Sequence, residues 1–166
     1  MALGEPTILV SNAATGVQRP LTQITKRHWD WTMETNASAF LRFVQHAPRL
    51  EGVLALTSAG SARVLRNYGI VGISKSALET AVRYLAVELG PDCRVNAISA
   101  GVVDTDSIRR FPTADDLLRD AKEKTPSGRL VEPEDVASLA AFLLSEEAAM
   151  ITGQTVTVDG GLSILA

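Results

Sequence analysis

Three short apolar runs, each ending in small polar residues, constrain this chain more than any other feature. PTILVSNAA (6–14), VLALTSAGS (53–61) and RVNAISAGV (94–102) share the design. Continuous apolar runs of this length that enter small-residue turns read as buried strands. QTVTVDGG (154–161) adds a fourth, rich in β-branched residues and closed by Gly160 and Gly161. Between the strands the period changes to that of a helix. Leu78, Ala81, Val82, Leu85 and Leu89 form one stripe over residues 71–89, which Gly90-Pro91 ends. Val136, Leu139, Ala140 and Leu143 form another over 133–144, where Pro133 and Glu134 suit a first turn. Two more helices are expected at 22–33 and 36–47. Strands alternating with helices imply βαβ units: an α/β fold with a parallel sheet of about four strands, right-handed crossovers and ligands at the carboxyl ends of the strands.

Composition removes several functions. The 166 residues are 46% hydrophobic and 21% charged, too apolar for a disordered tail, and form one expected domain, 1–166, with a real core. A net charge of −3 offers no bulk attraction for nucleic acid. The single cysteine, Cys93, excludes an intramolecular disulfide and a thiolate-rich metal site, and it reads as a small buried residue. His28 and His46 are eighteen residues apart with no third ligand in sight, so no metal is expected. No apolar run reaches the ~18 residues of a membrane span, and MALGEPTILV lacks a secretory signal's basic segment, so the expected location is cytoplasmic.

NYGIVGISKSALETAVRYLAVELGPDCRVNAISA (67–100) resembles the short-chain dehydrogenase/reductase superfamily and, within it, the enoyl-acyl carrier protein reductases. Most of the superfamily places its active tyrosine and lysine four residues apart. Tyr68 and Lys75 are seven apart, the enoyl reductase arrangement. The likeness continues through SNAATG (11–16), HWDWTMETNASA (28–39), TSAGS (57–61), GVVDTDSIRRFP (101–112), TPSGRLVEPEDVA (125–137) and GQTVTVDGG (153–161). It implies a truncated Rossmann-like fold, because the superfamily's opening strand, glycine-rich turn and helix have no counterpart here. The only glycine before Gly16 is Gly4. Three smaller departures accompany this. Ser11-Asn12-Ala13 stands for the family's NNA, the connection from Asn36 to TSAGS is several residues shorter than in close relatives, and Val64 replaces a second tyrosine.

A helix turns about 700° in seven residues, so positions 68 and 75 would share one face and point at one pocket. A phenol is a poor proton donor at neutral pH, and a nearby ammonium favours its ionised form. The resemblance implies that Tyr68 hydrogen-bonds the thioester carbonyl of an acyl substrate with Lys75 beside it. It also implies that Asn36 supports the lysine through water; as a bare asparagine near a helix start, Asn36 is equally suited to an N-cap. Ser58 and Ser61 end the second strand, as hydrogen-bond donors to a substrate or as turn formers. Val64, Leu65, Gly101 and Val102 are expected to line the substrate pocket. Trp29 and Trp31 read as packing residues, and Thr105 as a cap for the helix after the third strand. Arg63, Arg66, Arg109 and Arg110 form a candidate docking surface for the acidic helix of an acyl carrier protein, with a solvated face as the plainer alternative.

These readings leave three functions, beside the possibility that the sequence is one part of an ordinary enoyl reductase. Without a phosphate-cradling turn the expected cofactor is none. The first function is then a cofactor-independent isomerase acting on double bonds of a polyenoyl acyl carrier protein thioester, Tyr68 stabilising the developing oxyanion. The second is an NADPH-dependent enoyl reductase split between this chain and a partner subunit. The third is a catalytically silent subunit that docks carrier proteins. In each case residues 7–11 become an open sheet edge, so an oligomer is expected: a homodimer or tetramer, or a hetero-oligomer with a related subunit.

Overall fold

The computed structural model describes residues 5–109 and 113–165. In chain order the main elements are β1 (Ile8–Ser11), α1 (Lys26–Met33), a π turn (Glu34–Ser38), α2 (Ala39–His46), β2 (Gly52–Ser58), α3 (Gly69–Glu88) and β3 (Arg94–Ala100). There follow α4 (Asp106–Arg109), α5 (Ala114–Lys124), α6 (Pro133–Leu144) and β4 (Thr155–Val158). The strands form one sheet in the order β1-β2-β3-β4, every pair parallel, as the alternation of runs requires. Ser11 is level with Ala55, Ser58 with Ala100 and Ala100 with Val158, so the carboxyl ends of β2, β3 and β4 open onto one rim.

The period of two in β2 and β3 sends alternate side chains to opposite faces. Val53, Ala55, Val95 and Ala97 pack under α3 and α2 with Leu78, Val82, Leu85, Phe40 and Val44. Leu54 and Ile98 face the other way, against Leu143 of α6 and its neighbours Val136 and Leu139. Each fully buried aliphatic side chain of this kind contributes roughly 1.5–3 kcal/mol. Arg94 pins α6 to β3: its guanidinium donates to the carbonyls of Leu143 (2.6 Å) and Leu144 (3.2 Å), at the end of the helix, and of Ala148 (3.3 Å) in the turn beyond it. Cys93 is buried, as expected, and burial raises its thiol pKa.

Three expectations about local structure need correction. The helices expected at 22–33 and 36–47 are one continuous rod from Lys26 to His46, because ETNAS (34–38) contains no glycine or proline and bends into a π turn instead of breaking. That rod starts at Lys26, where the Thr25 hydroxyl accepts the His28 N–H at 3.3 Å. Tyr68 is not on α3 but is its N-cap, with φ −101° and ψ 4°. Trp29 and Trp31, read as packing residues, are 42% and 51% exposed. Among the described residues β1 lies at one edge of the sheet, with Ile8 and Val10 about half exposed.

Candidate functional site

The last three residues of β2 organise the site. Ser58 Oγ lies 3.2 Å from Tyr68 Oη. Two residues earlier on the same strand, the carbonyl of Leu56 accepts a 2.8 Å hydrogen bond from Lys75 Nζ. At about 3.3 Å per strand residue, the anchor points of phenol and ammonium are some 7 Å apart at the carboxyl end of the sheet. Tyr68 and Lys75 therefore converge even though only Lys75 is helical. Lys75 is 6% exposed, and burial lowers its pKa to about 8 against the opposing pull of the Glu79 carboxylate.

Two glycines make the convergence possible. A Cβ on Gly60 would lie 2.5 Å from Cδ1 and Cε1 of the Tyr68 ring, so the bare backbone of the turn after β2 is what the phenol ring rests on. A Cβ on Gly72 would meet the Gly60 carbonyl oxygen at 2.4 Å, which lets the first turn of α3 press against the same loop. The sequence signal for Gly60 is its place in the small-residue turn TSAGS, and that for Gly72 is a glycine inside a helical pattern.

Asn36 occupies the π turn, 2% exposed. Its Oδ1 accepts the Thr15 N–H at 2.7 Å, and its Nδ2 donates to the Thr15 carbonyl and to Ser74 Oγ, each at 2.8 Å. It clamps the loop after β1 to α3 one residue before Lys75. It caps no helix, so the N-cap alternative is corrected, and all its bonds go to Thr15 and Ser74 rather than to the lysine.

Of the two strand-end serines, Ser58 faces the phenol, whereas Ser61 spends its hydroxyl on the Ser58 carbonyl at 2.9 Å as a turn former. Val64 is fully exposed and Leu65 is 45% exposed, so the expected apolar lining at 64 is corrected: residues 62–67 turn outward, with Asn67 at φ 59°. Gly101 is held in the sheet by a 2.8 Å bond from its N–H to the Val158 carbonyl and lies so close to Asp159 that a Cβ would clash at 2.9 Å. Val102 follows it, half-buried on the same rim.

Arg63 donates to the Leu165 carbonyl at 3.2 Å, Arg109 is paired with Asp104 and lies 3.9 Å from Asp115, and Arg66 is exposed. Arg110 lies outside the described residues. The Ile108 N–H donates to Thr105 Oγ1 at 3.4 Å, the expected cap. No metal-ligating cluster occurs among the described residues.

A parallel sheet with a strand-end serine, a tyrosine and a buried lysine at its carboxyl rim is the arrangement that the resemblance to the short-chain dehydrogenase/reductase superfamily implies. Residues 2–163 match the family model described as "Enoyl-(Acyl carrier protein) reductase", and the chain belongs to that family. It is 36% identical over 164 residues to 1-cyclohexenylcarbonyl-CoA reductase of Streptomyces collinus, covering 95% of this chain and 59% of that protein. It is 41% identical over 114 residues to the enoyl-[acyl-carrier-protein] reductase [NADH] FabI of Bacillus cereus, covering 68% of this chain and 44% of the relative. The crystal structure of the Bacillus cereus enoyl-acyl carrier protein reductase with NADP+ and indole naphthyridinone superimposes with a TM-score of 0.88 at 30% identity, over 96% of this chain and 65% of that one. The chain thus spans less than two thirds of the length of these relatives.

These likenesses overturn the expectation of no cofactor. The family is one of nicotinamide-dependent reductases: one relative is named for NADH and another is solved with NADP+. The cofactor-independent isomerase falls with that expectation. The residues of this chain fit one end of such a nucleotide. Lys75 and the Tyr68–Ser58 hydroxyl pair are donors suited to a ribose and a carbonyl. The first turn of α1 is capped by Thr25 and that of α6 is closed by Glu132 and Asp135, so neither of these helix starts has its N–H groups free for a pyrophosphate.

Proposed function

We propose that this chain carries the substrate-side half of an enoyl thioester reductase whose dinucleotide-binding half comes from residues outside 5–165. The observation that supports it best is the meeting of Ser58, Tyr68 and Lys75 at one strand end. The bound nicotinamide supplies the hydride. The protein's own part is electrostatic: Tyr68 Oη donates to the thioester oxygen and stabilises the negative charge that develops on it, while Ser58 fixes the direction of the phenol. Lys75, ammonium below its pKa of about 8, favours that polarity and offers its protons to the ribose. Its present bond to Leu56 holds it at the rim. The acyl chain arrives on a carrier protein or coenzyme A, the two thioesters named in the relatives.

The test is NADPH oxidation with a trans-2-enoyl thioester, using the chain alone and the chain co-purified with a complementing nucleotide-binding half. The proposal expects turnover only in the complemented sample and its loss in Tyr68→Phe. A complemented sample that binds NADPH but oxidises none would overturn it, as would full turnover in Tyr68→Phe.

A further inference from the structure

One carboxylate beside the site has no part in the chemistry above. Glu79 lies one helical turn after Lys75, so the two side chains project from the same face of α3. It does not ion-pair with the lysine at close range. Instead Oε1 accepts a 2.7 Å hydrogen bond from Thr57 Oγ1, and Thr57 is buried between Leu56 and Ser58, the residues that hold the ammonium and the phenol. Consecutive β2 residues are thus tied to Lys75, Glu79 and Tyr68 in turn. We propose that Glu79 is a positioning residue for Lys75: clamped to β2 by Thr57, its carboxylate keeps the buried amine protonated and aimed at the strand end.

A purely architectural tie between α3 and β2 would need no charge there, and the surroundings make the charge count. Burial alone drives the amine toward its neutral form, and Glu79 is the negative charge that opposes this. β2 (GVLALTS) carries no ionisable side chain. The π turn presents the neutral Asn36, while its Glu34 is exposed and paired with Arg42. Tyr68 is the remaining titratable neighbour at the rim. A charge held at fixed distance in this poorly hydrated place acts more strongly than at the surface.

The inference rests on the reductase reading for its functional meaning, but its test does not. In protein labelled on lysine side chains, with Lys75→Arg used to assign the Lys75 signal, the amine is titrated by NMR in wild type, Glu79→Gln, Thr57→Val and Thr57→Ser. Glu79→Gln is expected to move the midpoint down by about one pH unit, Thr57→Val by a smaller amount, and Thr57→Ser to restore it. In the complemented enzyme the alkaline limb of kcat/KM moves with it. Wild-type titration in both Glu79→Gln and Thr57→Val would overturn the proposal, and Thr57→Val alone decides it if Glu79→Gln fails to fold. A shifted amine with no NADPH-dependent turnover in any sample would sink the reductase reading and leave the role of Glu79 standing.

Discussion

Ser58 Oγ faces Tyr68 Oη at 3.2 Å across the turn that leaves β2. One hydroxyl therefore fixes the direction in which the other can donate. Removing it by Ser58→Ala leaves the phenol in place but free to rotate, and should lower kcat about tenfold with little change in KM. Tyr68→Phe removes the donor itself and should cost 10²–10⁴. Steady-state kinetics of the complemented enzyme check both; equal losses in the two variants would mean that Ser58 does more than orient.

Lys75 sets activity against stability. Its pKa falls from 10.5 in the unfolded chain to about 8 in the fold, with burial as the main cause. Between those values the unfolded state binds more protons, so stability rises with pH through that window, and the penalty is fully present below pH 8. Lys75→Met should thus stabilise the protein near pH 7 by up to about 3 kcal/mol, less whatever the lost Leu56 hydrogen bond contributes, while abolishing reductase activity. Denaturation midpoints at pH 7 and pH 10 are the measurement: the gap between variant and wild type should close at the higher pH.

Gly60 carries the ring of Tyr68 on bare backbone. Gly60→Ala places a methyl where ring carbons already lie, and the half-buried ring can move, so activity should fall at least tenfold with a stability cost of only about 1 kcal/mol. Gly72→Ala meets the rigid Gly60 carbonyl instead and should cost about 2–3 kcal/mol in a denaturant titration.

Asn36→Ala strips three hydrogen bonds from a buried position and leaves both backbone polar groups of Thr15 without them. A loss of about 2–4 kcal/mol follows, visible as a lower Tm. A variant as stable as wild type would show that the loop after β1 is held by something else.

The strands and the helices α3 and α6 were legible because period two and period 3.6 are written in single residues such as Val53, Leu54, Leu78 and Val82. Tyr68 and Lys75 were legible as a pair from their spacing, although the geometry that unites them is a helix cap and a strand carbonyl rather than a shared helix face. What stayed hidden was set by three-dimensional partners. The three bonds of Asn36 join it to residues 21 positions before and 38 after it, and Thr57 reaches Glu79 across 22. Nothing in the local pattern specifies such distant partners. Val64 misled because replacement of a tyrosine by an apolar residue looks like a pocket change, whereas the residue is fully exposed. The absence of a glycine-rich turn misled in the same way, since a nucleotide can be held at one end by this chain and at the other by a different segment.

The outer face of α3 carries the last prediction. Ile73, Thr80, Tyr84 and Val87 fall within about 60° of one another on the helix, and Tyr84 and Val87 are 69% and 82% exposed, far more than an apolar stripe without a partner should be. The opposite face of α3 is already committed to the core through Leu78, Val82 and Leu85, so the helix cannot roll to hide the stripe. β1 adds open backbone groups at the sheet edge, but charges placed there would also disturb its pairing with β2. The helix stripe is therefore the cleaner target. Wild-type protein should sediment as an oligomer, and Tyr84→Lys with Val87→Glu should shift it toward monomer while the circular dichroism of the folded chain is kept. Unchanged sedimentation would assign association to another surface, with the β1 edge next to be tested.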